Sequence, residues 1–189
     1  MVKKNSCVFI SGNGTNLRAL LKNSKEYNFP IKIKLVISSN KKAKGIRISR
    51  MYCTDTQVYN FNNKLENEII LNELKKRKIK LICLAGFMKI LSSDFIKRFK
   101  GKIINIHPSL LPKHKGLNTF EKSLKAKDKL TGCTVHYVDE QLDSGKTILQ
   151  SKISIKKNDD INSLKFKVQK EEYIAYSKAI IKIYNSINF

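Results

Sequence analysis

Two continuous apolar runs, Lys80–Ala85 and Lys102–Ile106, stand out along the chain and read as buried strands, the first as the central one. Ser6–Ile10 opens the series. Ile31–Ser38 sets apolar residues at 31, 33, 35 and 37 against lysines at 32 and 34, an alternation that predicts an edge or half-buried start. Gln57–Tyr59, Gly132–Val138 and Thr147–Ile155 complete the strands. Between them, helices are expected over LRALLKN after Asn16, Ala43–Tyr52, Asn63–Lys78, Ser92–Phe99 and Thr119–Lys127, with one long closing helix over Ile161–Asn185. The Asn63–Lys78 helix is expected to turn Leu65, Ile69, Leu71 and Leu74 inward and to end in lysines that suit the negative end of its dipole. The closing helix is expected to bury Leu164, Val168 and Ile174. Strands alternating with helices, then two further strands, predict an α/β fold: a three-layer αβα sandwich with a mostly parallel, Rossmann-like sheet. With no internal repeat and no linker, residues 1–189 are expected to form one domain.

Charge changes this picture less than its size suggests. Thirty-eight basic residues against 15 acidic ones give a formal charge of +23, which raises nucleic acid as a partner. Only Arg18, Arg47, Arg50, Arg77 and Arg98 are arginine, however, and base and phosphate readers favour its bidentate fork. The lysines are spread along the whole chain beside abundant Ile and Asn, a pattern that AT-rich codon bias produces. No nucleic-acid partner is expected. No apolar run approaches the roughly 18 residues of a membrane span, and the first one, about four residues long, lacks a cleavage site. A cytoplasmic protein is expected, with no membrane partner, as a monomer or weak homodimer. Cys7, Cys53, Cys83 and Cys133 show no metal-binding spacing, so no metal is expected; Cys7, Cys83 and Cys133 read as reduced core residues.

Candidate chemistry gathers in Ile103–Gly116, IINIHPSLLPKHKG. The strand brings Asn105 and His107 to its carboxyl end, where Pro108 stops it, and two-residue spacing puts both side chains on one face. A neutral hydrogen-bond donor and a proton carrier there suit oxyanion stabilisation and proton transfer. Leu111–Pro112 is a candidate cis bond. Downstream lie His136, readable as a structural histidine, and LDSG, whose Asp143 is readable as an ordinary turn aspartate. Near the N-terminus, SGNGTN turns a strand into a helix. Its glycines and helix start suit an anion, although a plain strand-to-helix turn reads equally well and the third glycine of a dinucleotide motif is missing.

INIHPSLLP followed by GCTVHYVDEQLDSGKTILQ, together with SGNGTNL and LAGFMKIL, resembles the folate-dependent formyltransferases, and within them the glycinamide ribonucleotide formyltransferases. The resemblance runs in order from about Phe9 to about Tyr176. It implies the formyltransferase fold and transfer of a formyl group from 10-formyltetrahydrofolate, a co-substrate, to the amine of glycinamide ribonucleotide in purine synthesis. It implies Asn105, His107 and Asp143 as catalytic residues, with His136 in support. Gly14, Thr15 and Asn16 would hold the ribose phosphate, and Glu172, otherwise a solvated helix residue, would bind the ribonucleotide. The folate would meet Lys64, Met88, Lys89, Ile90 and Leu91, besides Asn105 and a wall formed by Asp139, Glu140, Gln141, Leu142 and Asp143. Phe120 and Tyr173 stand where family members often carry histidine, and Lys64 and Lys89 where arginine is frequent, which puts affinity in question rather than reaction type.

Three alternative readings share part of this pattern. A methionyl-tRNA formyltransferase would suit the charge but is expected to carry a further C-terminal domain. A formyltetrahydrofolate hydrolase would share the Asn/His/Asp set but usually has an added N-terminal domain. A basic nucleic-acid-binding relic of the fold gives no reason to keep Asn105, His107 and Asp143.

Overall fold

The computed structural model describes residues 2–185. Its elements follow the expected order: β1 (Lys4–Ile10), α1 (Thr15–Lys25), β2 (Ile31–Ser38), α2 (Gly45–Met51), β3 (Thr56–Val58), α3 (Lys64–Lys76), β4 (Leu81–Leu84), α4 (Ser93–Arg98), β5 (Lys102–His107), α5 (Thr119–Lys125), β6 (Leu130–Tyr137), β7 (Thr147–Ser154) and α6 (Ile161–Asn185). The strands form a seven-stranded sheet in the order β3-β2-β1-β4-β5-β6-β7. The pairs β1–β2, β1–β4, β2–β3 and β4–β5 are parallel, and β6–β7 is antiparallel. This is the mostly parallel α/β sheet that the pattern predicts.

The chain divides into two compact units, Met1–Asn105 and Ile106–Phe189, with the boundary inside β5. In the first, β1 and β4 lie inside the sheet, and apart from Ser6 their paired residues are apolar; Cys7 to Ile10 and Leu81 to Cys83 are fully buried. Phe9 stacks edge-on against Phe61 and Phe95, and Phe87 meets both Phe9 and Phe61. Each such ring pair adds about 0.5–1.5 kcal/mol beyond area burial. β3 pairs only with Val36 to Ser38, so the start of β2 is an edge, and Lys32 and Lys34 stay exposed there as expected.

In the second unit α6 packs along β6 and β7. Leu164, Val168, Ala175, Tyr176, Ala179 and Ile180 supply its buried face. Two stripe assignments made from periodicity are corrected. In α3, Leu74 is buried as expected and Leu71 is half-buried, while Leu65 is 73% and Ile69 48% exposed and Ile70 is buried instead; apolar residues lie on more than one face of this helix, so the period alone does not choose the inward one. In α6, Ile174 is exposed and Ala175 and Tyr176 face inward instead.

Cys7, Cys83 and Cys133 are buried, Cys53 is exposed, and none of the four is in a disulfide. Burial, with Glu172 and Glu171 nearby, pushes the Cys133 thiol up to about 12, so it stays protonated and unreactive. Among the described residues no helix is long and apolar enough to cross a membrane, and no cluster of His, Cys, Asp or Glu could hold a metal ion.

Candidate active site

In the first unit the strand order reverses between β1 and β4, and crevices at the carboxyl ends of strands at such a switch point are where open α/β sheets bind ligands. The loops leaving the two strands are tied together there. The Ser11 amide donates to the Gly86 carbonyl at 3.1 Å, and the Met88 amide donates to the Ser11 hydroxyl at 2.8 Å. Gly14 caps α1 in the left-handed region, φ 73°, and a Cβ on it would sit 2.6 Å from the Gly45 Cα. The Gly45 amide in turn donates to the Gly12 carbonyl. The sequence singled out Gly14 but not Gly45, whose only signal was a glycine in an otherwise lysine-rich loop. Thr15 and Asn16 open α1, at the positive end of its dipole. Met88, Lys89 and Ile90 are exposed and Leu91 is buried. Lys64 is the exposed first residue of α3, after Asn63, whose side chain caps the helix by accepting from the Leu65 amide. Asn105 is half-buried on β5.

The second unit brings His107 and Asp143 together. His107, 6% exposed, ends β5; Asp143, 7% exposed, lies in the loop between β6 and β7. The His107 Nε2 is 2.9 Å from the His114 carbonyl oxygen, which can only accept, so that nitrogen carries a proton. Its Nδ1 is 3.3 Å from Asp143 Oδ2. The ring can therefore donate to Asp143 only when protonated on both nitrogens. The same Oδ2 accepts the Gly116 amide at 2.9 Å. Asp143 itself is left-handed, φ 50°, a conformation that costs a non-glycine residue about 1–2 kcal/mol. It borders a cavity of about 240 Å³ with Leu111, Pro112, Lys115 and Lys146, so the carboxylate is buried but reachable.

His136 is buried below this pair. Its Nδ1 donates to the Tyr137 carbonyl at 2.8 Å, and its Nε2 lies 3.7 Å from Asp143 Oδ1, too far for a hydrogen bond. Burial, the largest influence, holds the His136 pKa below its ordinary value. The folded protein thus resists protonating His136 while the unfolded chain accepts the proton near pH 6.5. Stability is full above that pH and falls as pH drops from it toward the lower folded value. The denaturation midpoint of His136→Gln is expected to decline less than the parent's between about pH 7.5 and about pH 5.5; equal slopes would contradict this.

The loop that follows His107 is held by side-chain hydrogen bonds. Its Leu111–Pro112 bond is cis. The Thr134 hydroxyl donates to the Ser109 carbonyl and accepts the Leu111 amide, while the Gln150 amide reaches both the Leu111 carbonyl and Thr134. Thr134 and Gln150 lie in motifs that the sequence quoted, yet nothing in their spacing marked them as loop clamps. Asp139, Glu140, Gln141 and Leu142 form the exposed loop leading to Asp143, braced by Ser144 against Asp139. Glu172 is not the solvated residue that its polarity alone implies. It is 9% exposed, one turn from Val168 and one from Tyr176 on the buried face of α6. Phe120 and Tyr173 are half-buried on α5 and α6.

The profile described as Formyl transferase matches residues 4–180. The chain belongs to the formyl transferase family. Among its relatives, the phosphoribosylglycinamide formyltransferase of Haemophilus influenzae is 40% identical over 181 residues, covering 94% of this chain and 85% of that one. The phosphoribosylglycinamide formyltransferase of Bacillus subtilis is 34% identical, covering 94% and 93%. The human trifunctional purine biosynthetic protein adenosine-3 is 37% identical over 94% of this chain, which spans only 18% of that protein's length. The crystal structure of phosphoribosylglycinamide formyltransferase from Brucella melitensis superposes with a TM-score of 0.91 at 37% identity, covering 96% of each chain. As a family member the chain is a formyl-transferring enzyme.

Proposed function

We propose that residues 1–189 act as one formyltransferase domain that moves the formyl group of 10-formyltetrahydrofolate to the primary amine of glycinamide ribonucleotide. The products are formylglycinamide ribonucleotide and tetrahydrofolate. The observation that carries this reading is the buried His107–Asp143 pair, 3.3 Å apart, in a chain 40% identical to a phosphoribosylglycinamide formyltransferase.

The amine attacks the formyl carbon, a carbon–nitrogen bond forms, and the carbonyl electron pair moves onto oxygen. That oxygen needs donors. The Asn105 side-chain amide supplies one, and the His107 Nδ1 proton supplies the other. The Nε2 proton is committed to the His114 carbonyl, whereas the Nδ1 contact to Asp143 is long. The electron pair then returns from oxygen as the bond between the formyl carbon and the folate nitrogen breaks; the attacking amine loses a proton and the departing folate nitrogen gains one, so the step is proton-neutral overall. Asp143, a carboxylate at the edge of an open cavity, takes and returns that proton, directly or through water. Gly14, Thr15 and Asn16 hold the substrate phosphate at the start of α1, and Glu172 contacts the ribonucleotide. Met88, Lys89, Ile90, Leu91 and the Asp139–Leu142 loop hold the folate, with Lys64 near its acidic tail. The net charge of +23 attracts both anionic substrates. The acting species is a cytoplasmic monomer or weak homodimer.

The test is a formyl-transfer assay with both substrates and the purified chain. Tetrahydrofolate and formylated amine are expected in equal amounts, with transfer nearly lost in His107→Ala. Release of free formate with the amine untouched would replace this reading with a hydrolase.

A further inference from the structure

We propose that His114 and Asp128 form a positioning pair that fixes the ring of His107. The proposal rests on the role given above to His107. The carbonyl that receives the His107 Nε2 proton belongs to His114, and the His114 side chain is anchored separately: its Nε2 is 2.6 Å from Asp128 Oδ2. The other Asp128 oxygen accepts from Lys113 Nζ at 3.0 Å, so one carboxylate grips two consecutive loop residues. Those hydrogen bonds hold Asp128 below its ordinary carboxylate range.

Asp128 is itself seated, because its amide donates to the Ser123 carbonyl at the end of α5. From the other side, the Ser109 hydroxyl donates to the Lys113 carbonyl at 2.7 Å and the Ser109 amide to the His107 carbonyl at 2.9 Å. His114 adopts the left-handed region, φ 53°, which a histidine does not hold without outside support. The pair to Asp128 supplies that support.

The consequence is chemical. While the His114 carbonyl stays in place, His107 must carry its proton on Nε2 and present Nδ1 to Asp143. Release of the loop frees the neutral ring to carry its proton on Nδ1 instead or to rotate, and both end the fixed arrangement of Nε2–H toward His114 and Nδ1 toward Asp143. Since neither His114 nor Asp128 contacts substrate in this scheme, the loss falls on turnover rather than on binding.

The test compares Asp128→Asn, His114→Phe and the conservative Asp128→Glu with the parent, reading steady-state kinetics and the ring-nitrogen NMR signals of His107. In the parent the Nε2–H pattern is expected. In Asp128→Asn and His114→Phe the pattern is expected to mix tautomers and kcat to fall about tenfold, with KM for both substrates within about twofold. Asp128→Glu is expected to restore the parent pattern. Unchanged His107 signals in folded Asp128→Asn or His114→Phe would overturn the proposal, whether or not activity falls. The ring signals do not depend on which reaction is run, so a parent without formyl transfer would overturn the functional reading alone. Should Asp128→Asn not fold, His114→Phe, which keeps aromatic bulk and all backbone bonds, decides the matter.

Discussion

Asp143→Asn is expected to lower kcat by about 10³-fold while leaving KM and stability almost unchanged. The substitution is nearly isosteric, and the surrounding hydrogen bonds accommodate it. Asp143 Oδ2 accepts the Gly116 amide and faces the His107 Nδ1, so the carboxamide oxygen placed there keeps that hydrogen bond and that neighbour. The new NH₂ group then takes the place of Oδ1, facing the Nε2 of His136. That nitrogen is an acceptor, because the His136 proton is on Nδ1, bonded to the Tyr137 carbonyl. Stability is therefore expected within about 1 kcal/mol of the parent. What disappears is the negative charge and the site that accepts a proton. Steady-state kinetics with a thermal melt check this. A kcat within tenfold of the parent, in a folded protein, would show that the proton goes elsewhere.

Gly145→Ala is expected to damage both stability and activity. A Cβ at this position would lie 1.9 Å from the Tyr137 carbonyl oxygen, well inside contact distance and against backbone rather than a movable side chain. The end of β6 must then move away from the loop after Asp143. The Tyr137 amide bond to the Lys146 carbonyl, 3.0 Å in the parent, stretches with it. The displaced Tyr137 carbonyl is also the acceptor that orients His136. One methyl group thus strains the junction from both sides. A loss of about 2–3 kcal/mol in chemical denaturation, with kcat reduced at least about tenfold, is the expected result. Gly12→Ala, where nothing lies within 4 Å of the added carbon, is the stability control. Equal denaturation midpoints for the two variants would refute the clash.

The glycine of LDSG shows how a motif can be visible in sequence and still be unexplained by it. Asp143 drew attention as a carboxylate, but the need for Gly145 comes from a β6 carbonyl eight positions back in the chain. The missed stripes have a related cause. In α3 and α6 apolar residues occur on more than one face, and only tertiary packing chose Ile70 over Ile69 and Tyr176 over Ile174. Glu172 followed the chosen face into burial, against the expectation from its charge.

By itself, the sequence determined the order and type of every element, because strand and helix periods are local properties carried by neighbouring side chains. It also determined the candidate chemistry at the end of β5, since Asn105, His107 and Pro108 are close in the chain. The tertiary structure alone decided which partners those residues meet. The His107–Asp143 contact closes 36 positions of chain and the His114–Asp128 contact closes 14. No periodicity encodes such distances. They exist because β6 and α5 return the chain to the carboxyl end of β5, and that return is driven by burial of apolar faces that carry no record of the polar pairs they bring together.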